Sequence, residues 1–506
     1  MADPARAVSA DMIKFEIEKS LPELLSLKNR NRYLVEGWVV GASRVREIQV
    51  RVGGRCFTSK NIGLHRPDVQ KDHFPENRSF HAVFSGFSIP VILDPVQSRE
   101  DSDISLDCIF LDGSRLQRDI GTVSVTPWQE AEYLPEIPPH IDRDNLLVIC
   151  LATYNPSPGP FKRQIDSIIG QQYRNWICLI CDDNSSESCK AGLKAAIQDD
   201  PRFLLIENDS NVGFYRNFER CLELVPRSAR YVALSDQDDI WYPDKLSKCL
   251  EAFNDRTMLV YCDMNIVDKD RNVLSDTYWK NRKNYYRSED IDLLTLANTV
   301  TGAASVFKRE LLDLALPFPP RYGDVFHDQW LAILAAGNGG IEYVDRPLYE
   351  YVQYGDNVIG HTDFGRQSYL QFVIGYFRPA QGERLNLFGW LGKPLRALLG
   401  IPGYGFHTSL IRQSYAKHVV TLAETALLRS LEPEARKLVQ RTLSVPGLFL
   451  IHRKVHRNRE TLNDLEYQLL FGAVTGIIFR WAAPVSTLYL GSRLERFVLA
   501  RRRTEP

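Results

Sequence analysis

The chain predicts an α/β domain in its middle, an all-β sandwich-like unit ahead of it and a basic helical region behind it. Three observations carry this. Between Asn145 and His361 short apolar runs alternate with amphipathic segments. Between residues 30 and 126 apolar side chains recur at every second position. From Gly365 to Pro506 the charge changes sign. At 506 residues the chain exceeds what one hydrophobic core usually supports, so two or three domains are expected. With 25% charged and 44% hydrophobic residues it is globular in composition rather than disordered.

Residues 1–29 are charged and read as an N-terminal helical segment, with no apolar region of the kind that directs export. Nine cysteines, an odd number scattered through apparent strands, suit a reducing compartment. Cys178 and Cys181 form a C-x-x-C, but three residues apart on a strand they face opposite sides, which argues against a metal or redox pair. In residues 30–127, Ile48, Val50 and Val52 alternate with Gln49 and Arg51, and Ile104, Leu106, Cys108 and Phe110 repeat at period two. Gly53-Gly54 and Asp112-Gly113 mark tight turns between strands. The stretch from Arg66 to Phe87 is a long connection expected to pack over one edge. Residues 128–144, rich in prolines and acids, read as a linker.

Residues 145–364 form the α/β domain. Leu146 to Leu151 is a buried-type strand ending in Ala152-Thr153-Tyr154-Asn155, followed by a helix carrying Ile165, Ile168 and Ile169. Trp176 to Cys181 is the next strand, ending in Asp182-Asp183-Asn184-Ser185. Phe203 to Ile206 is a third, followed by Asn208 to Gly213 and a helix carrying Phe218, Cys221 and Leu222. Interleaved strands and helices predict a largely parallel sheet covered on both faces. A fourth apolar run, Tyr231 to Leu234, delivers Asp236, Asp238 and Asp239 within four residues, and Pro243 opens a further helix. Clustered carboxylates repel one another unless a cation sits among them, and Mg²⁺-like ions take oxygen ligands while keeping positions for substrate phosphates. An acidic turn capping the helix at Pro243 is the other reading of the cluster alone. Polar ends on successive strands of such a sheet converge on one edge, where open α/β sheets bind ligands.

These pieces resemble the glycosyltransferase family 2 catalytic domain. The residues that carry the resemblance are Ala152-Thr153-Tyr154-Asn155, Cys181 to Ser185, Asn211-Val212-Gly213, Asp236-Gln237-Asp238-Asp239 and His327-Asp328-Gln329-Trp330. The stretch Ser235 to Trp241 is similar to the version common in bacterial rhamnosyltransferases of surface polysaccharide synthesis. The resemblance implies the GT-A nucleotide-sugar-binding fold and an inverting, metal-dependent hexosyl transfer. The donor would be a nucleoside-diphosphate sugar, with rhamnose a candidate, and the acceptor a glycan or lipid-linked glycan of the cell envelope, such as O-antigen. It implies roles as well. Thr153, Tyr154, Asn155, Asp183, Asn211, Gly213 and Asp236 would bind the donor, Asp183 by accepting a hydrogen bond from a uracil or thymine imide. Asp238 would hold Mg²⁺ or Mn²⁺, and Asp328 would be the general base on the acceptor hydroxyl. His327 and Trp330 would lie on the acceptor side, Trp330 offering a ring face to a sugar. Asp328 as a helix cap is the alternative for that stretch. The family often has a histidine where this chain has Tyr354; His361 is the candidate replacement metal ligand, with a bound water as the alternative. A glycan-binding or assembly protein that keeps the fold without turnover is the alternative function. Nucleotidyl transfer lacks support, because no Gly-rich, Lys-bearing loop precedes residue 150. The first β unit loosely resembles small sandwich domains that precede transferases in such systems, and both a carbohydrate-binding and a structural role are open for it.

Residues 365–506 are the basic helical region, with 21 Lys+Arg against 9 Asp+Glu in a chain whose net charge is −1. Helical patterns cover Leu385 to Leu399, His407 to Leu428 and Leu462 to Phe479. The apolar run Leu469 to Phe479 is too short to span a bilayer. Its arginine flanks fit a helix on an anionic membrane surface, and a helical bundle with a solvated basic face is the alternative. The expected location is cytoplasmic, peripheral to the inner face of the membrane. Nucleic acid is not an expected partner, because basic and aromatic residues form no recognition module.

Overall fold

A computed structural model describes residues 13–59, 62–64, 66–74, 82, 85–128, 137–278, 291–296, 298, 300–321, 327–353 and 421–443. The described residues fall into two compact units, one up to residue 128 and one comprising 137–353 with 421–443.

The first unit is built from β1 (Lys14–Lys19), β2 (Leu24–Leu27), β3 (Asn31–Val40), β4 (Val45–Val52), β5 (Arg55–Thr58), β6 (Ile62–Leu64), β7 (Gly86–Leu93), β8 (Glu100–Phe110) and β9 (Arg115–Pro127). They form two sheets, β1-β3-β7-β6 and β2-β9-β8-β4-β5. Val35, Val39, Ile89 and Val91 of one sheet share a core with Ile48, Val50, Leu106, Cys108 and Val123 of the other. That is a sandwich, as the period-two alternation predicts. Gly53 (φ 54°) and Gly113 (φ 85°) supply the positive φ that their turns require.

The helix expected over residues 1–29 is a correction. Residues 14–19 and 24–27 are strands, and β1 pairs antiparallel with β3. Phe15 and Ile17 alternate with exposed Lys14, Glu16 and Glu18, so one face packs on the core while the charges stay in water. The abundance of charge masks this alternation. The connection after Arg66 includes a short helix, α1 (Pro67–His73), whose Val69 packs with Trp38 and Val40 outside the main core. Trp38 is 3% exposed and lies against His73 and Phe74. Among the described residues of this unit the Phe, Tyr and Trp rings are buried or half-buried.

The second unit is organised on one mixed sheet. Its strands are β10 (Leu147–Thr153), β11 (Trp176–Asp182), β12 (Phe203–Glu207), β13 (Tyr231–Ser235), β14 (Ile240–Trp241), β15 (Thr257–Asp268), β16 (Val273–Ser275), β17 (Ser305–Lys308) and β18 (Gly340–Gln353). Their order is β12-β11-β10-β13-β17-β15-β18-β14, with β16 beside β15. The first four are parallel, while β17 runs antiparallel to both neighbours. Every residue of β11 is buried, which is why its sequence runs apolar without alternation. The helices α2 (Pro158–Ile169), α3 (Glu187–Ile197) and α4 (Phe214–Glu223) follow β10, β11 and β12. In α2, Phe161, Ile165 and Ile168 recur at helical spacing and are buried, and Pro158 opens the helix where no amide partner is needed. Later come α5 (Lys245–Glu251), α6 (Ile291–Leu296), α7 (Leu311–Ala315), α8 (His327–Gly337) and α9 (Pro433–Thr442).

Of the C-terminal region, residues 421–426 and α9 are helical, as expected. Arg429 Nη2 donates to the carbonyl of Pro317 at 2.9 Å, so this piece is part of the second unit. The segments 385–399 and 462–479 lie outside the described residues. Among the described residues no helix is long and apolar enough to cross a membrane.

Candidate active site

The four parallel strands end beside one another because of their order. The chain steps outward from β10 to β11 and β12, then returns to the other side of β10 with β13. Such a reversal opens a crevice at the carboxyl ends of the strands. In register Thr153 pairs with Asp182 and Asp182 with Glu207.

Hydrogen bonds tie these ends into one rim. Gln237 Oε1 accepts from Thr153 Oγ1 and from the Tyr154 amide, both at 2.9 Å. The Asp183 amide donates to the Thr153 carbonyl at 2.9 Å. Asp182 accepts from the Ser185 amide, and the Asn155 amide donates to Ser185 Oγ. Asp183 accepts the amides of Val212 and Gly213, both at 2.8 Å, and Asn208 Nδ2 at 3.1 Å. Asn211 Nδ2 reaches the Asp183 carbonyl at 3.2 Å. Gly213 caps α4 with φ 81°, which a side chain would strain. Asp183 is thus first of all the anchor of the 211–213 loop, and among its described contacts one acceptor position on Oδ2 stays open. Tyr154 is half exposed and Val212 nearly so, giving the rim an apolar lip.

The acidic loop after β13 is the electrostatic focus. Burial, reinforced by the charges of Asp238 and Asp328, raises the Asp236 carboxyl to about 7. Burial also raises Asp238. Asp239, 1% exposed, is raised well above the carboxylate range by burial and by Asp236 and Asp238. Opposing them is Lys245, fully buried at the start of α5, whose ammonium lies 3.7 Å from the Trp241 ring centre and 4.5 Å from that of Tyr349. Burial lowers its pKa, against the nearby thiols and carboxylates.

Asp328 stands in the first turn of α8. Oδ1 accepts from Asn298 Nδ2 at 2.8 Å and from the Gln329 amide at 2.7 Å, and Oδ2 accepts the Gly302 amide at 3.1 Å. Burial lifts its pKa to about 6 against the pull of those donors. It therefore bonds at a helix start and also faces the acidic loop, since its charge acts on Asp236.

Two acceptor-side assignments are corrected. Trp330 is fully buried and its Nε1 donates to the Ala315 carbonyl at 3.0 Å, so its ring faces protein and not a sugar. His327 is 6% exposed, stacks on Phe218 at 3.9 Å between centroids, and burial holds its pKa near 3. On α8 almost every residue but Asp328 is buried, because the helix is apolar all round and packs inside the unit. His361 and Tyr354 lie outside the described residues.

A divalent cation fits the chemistry of this loop, though among the described residues no three His, Cys, Asp or Glu side chains form a ready cage. Asp239 Oδ2 is buried with no hydrogen-bond partner among the described residues, and the neighbouring carboxylates repel one another. Hard cations that keep waters and phosphate oxygens need only one or two carboxylates.

This has a consequence for stability. Above the unfolded value near 3.8 the folded Asp236 holds a proton that the unfolded chain has released, and it gives that proton up around pH 7, so its contribution to stability should fall as pH rises towards 7 and level off by 8. His327 acts the other way from about pH 3 up through its unfolded value near 6.5, a contribution that wild type and an Asp236 variant share. In chelator the wild type should show this slope and Asp236→Asn a smaller one, read by denaturant titration at pH 6.5 and 8. Equal slopes would mean that Asp236 is not strained in the free protein.

Sequence reasoning missed Gln237 as the clasp of the rim, Lys245 as the buried counter-charge, and Asn298 with Gly302 as the holders of Asp328. Gln237 stood in plain view between two acids. Lys245 carries no signal, since a lysine in a first helical turn reads as solvated.

Residues 148–314 match the model of glycosyl transferase family 2. A UDP-Glc:alpha-D-GlcNAc-diphosphoundecaprenol beta-1,3-glucosyltransferase of Escherichia coli is 33% identical over 103 residues, 20% of this chain and 39% of that protein. The putative colanic acid biosynthesis glycosyl transferase WcaA of Escherichia coli K12 is 33% identical over 102 residues, 20% of this chain and 36% of that protein. The chain thus spans less than half the length of these relatives. Among solved structures, the mannosyltransferase PcManGT of Pyrobaculum calidifontis, in complex with GDP-Man and Mn²⁺, aligns over 70% of this chain and 91% of its own, at 15% identity and a TM-score of 0.36.

Proposed function

We propose that this protein is an inverting glycosyltransferase that moves a sugar from a nucleoside diphosphate to a hydroxyl of a glycan or lipid-linked acceptor in surface polysaccharide synthesis. The observation that carries this reading is that Asp328 lies close enough to the acidic loop after β13 for its charge, with that of Asp238, to help raise Asp236. The family match over residues 148–314 and the relatives' names support the reaction class.

In this reading the rim formed by Thr153, Tyr154, Asn155, Asp183, Asn211 and Gly213 binds the nucleoside, with the open acceptor position of Asp183 facing the base. Asp236 faces the ribose and sugar, and Asp238 holds Mg²⁺ or Mn²⁺. When bound, the cation supplies counter-charge for the departing diphosphate, so no protein acid is needed there. Asp328 accepts the proton of the acceptor hydroxyl on the lone pair of Oδ2 left by Gly302, and the alkoxide-like oxygen forms the bond to the anomeric carbon. One displacement inverts that centre. The rhamnosyltransferase-like form of residues 235–241 makes a deoxythymidine-diphosphate sugar the first donor to try. A lipid-linked acceptor would place the chain at the inner membrane face.

The test is a panel of nucleotide sugars with purified protein and Mg²⁺ or Mn²⁺, following release of nucleoside diphosphate and the anomer formed. Release from one donor, with inverted product, is expected. Absence of hydrolysis and transfer with every donor, despite donor binding, would favour a glycan-binding protein without turnover.

A further inference from the structure

Lys245 is the one lysine among the buried polar residues of the described chain. Lysines are almost never fully buried without a partner, because desolvating an ammonium is costly. Two ring faces, Trp241 and Tyr349, take part of its charge. Its ammonium donates to a backbone group, the carbonyl of Ala303, at 2.6 Å. Ala303 is the centre of a short 3-10 turn, Gly302–Ala304, between Asn298 and β17. The same turn presents the Gly302 amide to Asp328 Oδ2. It is closed from within by Ser305 Oγ, which donates to the Gly302 carbonyl at 2.7 Å, and by the Ala304 amide on the Thr301 carbonyl at 3.1 Å. Toward α8 there is no slack, since a Cβ on Gly302 would lie 2.9 Å from His327 Nε2.

We propose that Lys245 is a positioning residue for Asp328: its ammonium pins the 302–304 turn, and the turn in turn fixes the carboxylate. The inference rests on the reading of Asp328 as the base. It joins two parts of the site that are far apart in sequence, because Lys245 opens the helix that directly follows the acidic loop. A movement of that loop is thereby transmitted to the base through one side chain and the backbone of two residues, Ala303 and Gly302. The alternative is that Lys245 serves stability alone.

Lys245→Met keeps length and apolar packing but cannot donate to Ala303. The turn should then loosen while the parallel strands stay intact. Hydrogen exchange should accelerate in peptides covering 300–306 and remain native in those covering 147–153 and 176–182. In the same variant kcat should fall by about 10²-fold, the cost of a base misplaced by around an ångström, with the donor KM little changed. Lys245→Gln, whose amide ends one bond short of the carbonyl, must also release the turn and serves if the Met variant does not fold. Native exchange at 300–306 in either folded variant, or native kcat, overturns the proposal, as does a uniform rise in exchange across the unit. Exchange that changes locally in a protein whose wild type transfers no sugar would leave the pin standing and sink the catalytic reading instead.

Discussion

Asp328→Asn should lower kcat by roughly 10²–10⁴-fold, the usual contribution of a positioned general base, while donor affinity stays close to wild type. The substitution keeps the planar shape, so Asn298 and the Gln329 amide can still find an acceptor. What it loses is the capacity to take a proton. Its amide nitrogen would also face the Gly302 N–H, an unfavourable pairing of donors, whereas removing a desolvated charge relieves the strain that raises its pKa to about 6. These act in opposite directions, and the thermal midpoint should move little. The pH profile adds a second readout. In the wild type kcat/KM should climb with pH through an inflection near 6 as Asp328 ionises, and residual activity of the variant should lack that limb. An intact kcat would make Asp328 a helix-start residue only and send the search for a base elsewhere.

Asp238→Ala should abolish transfer and weaken donor binding together, a pattern distinct from the kcat-selective loss above. The diphosphate would lose the counter-charge that Asp238 is proposed to hold beside it. Relief of repulsion gives the variant a signature of its own. Asp236 and Asp239 are both raised in part by the charge of Asp238, so in metal-free protein the variant should be at least as stable as the wild type. Divalent cation should stabilise the wild type against heat and leave the variant unmoved. Normal turnover by the variant, or full wild-type activity in excess chelator, would remove the metal from the mechanism.

The parallel half of the sheet was legible in the sequence because strands buried on both faces write long apolar runs and end in polar clusters. Leu147 to Thr153 and Trp176 to Asp182 are of this kind. The N-terminal strand at residues 14–19 was not, since four of its six residues are charged and its apolar face is only Phe15 and Ile17. Within the site the sequence showed which residues were unusual but not what they touched. Asp183 read as a carboxylate for the donor's base and proves to be engaged by two backbone amides from a loop about thirty residues on. Trp330, beside a candidate base, read as a sugar platform and is fully buried, because helical spacing alone does not say whether a helix has a wet face. Lys245 and Gly302 act through backbone groups, and that kind of partnership leaves no trace in side-chain identity.

The clasp of Gln237 on Thr153 and Tyr154 joins the nucleoside rim to the acidic loop. If the donor binds as proposed, both ends of its nucleotide are gripped by elements that Gln237 holds together. The spent nucleoside diphosphate would then keep nearly all its contacts after the sugar has gone. Turnover in the cell would be throttled by its own by-product, and flux would follow how quickly a companion phosphatase or kinase clears that nucleotide.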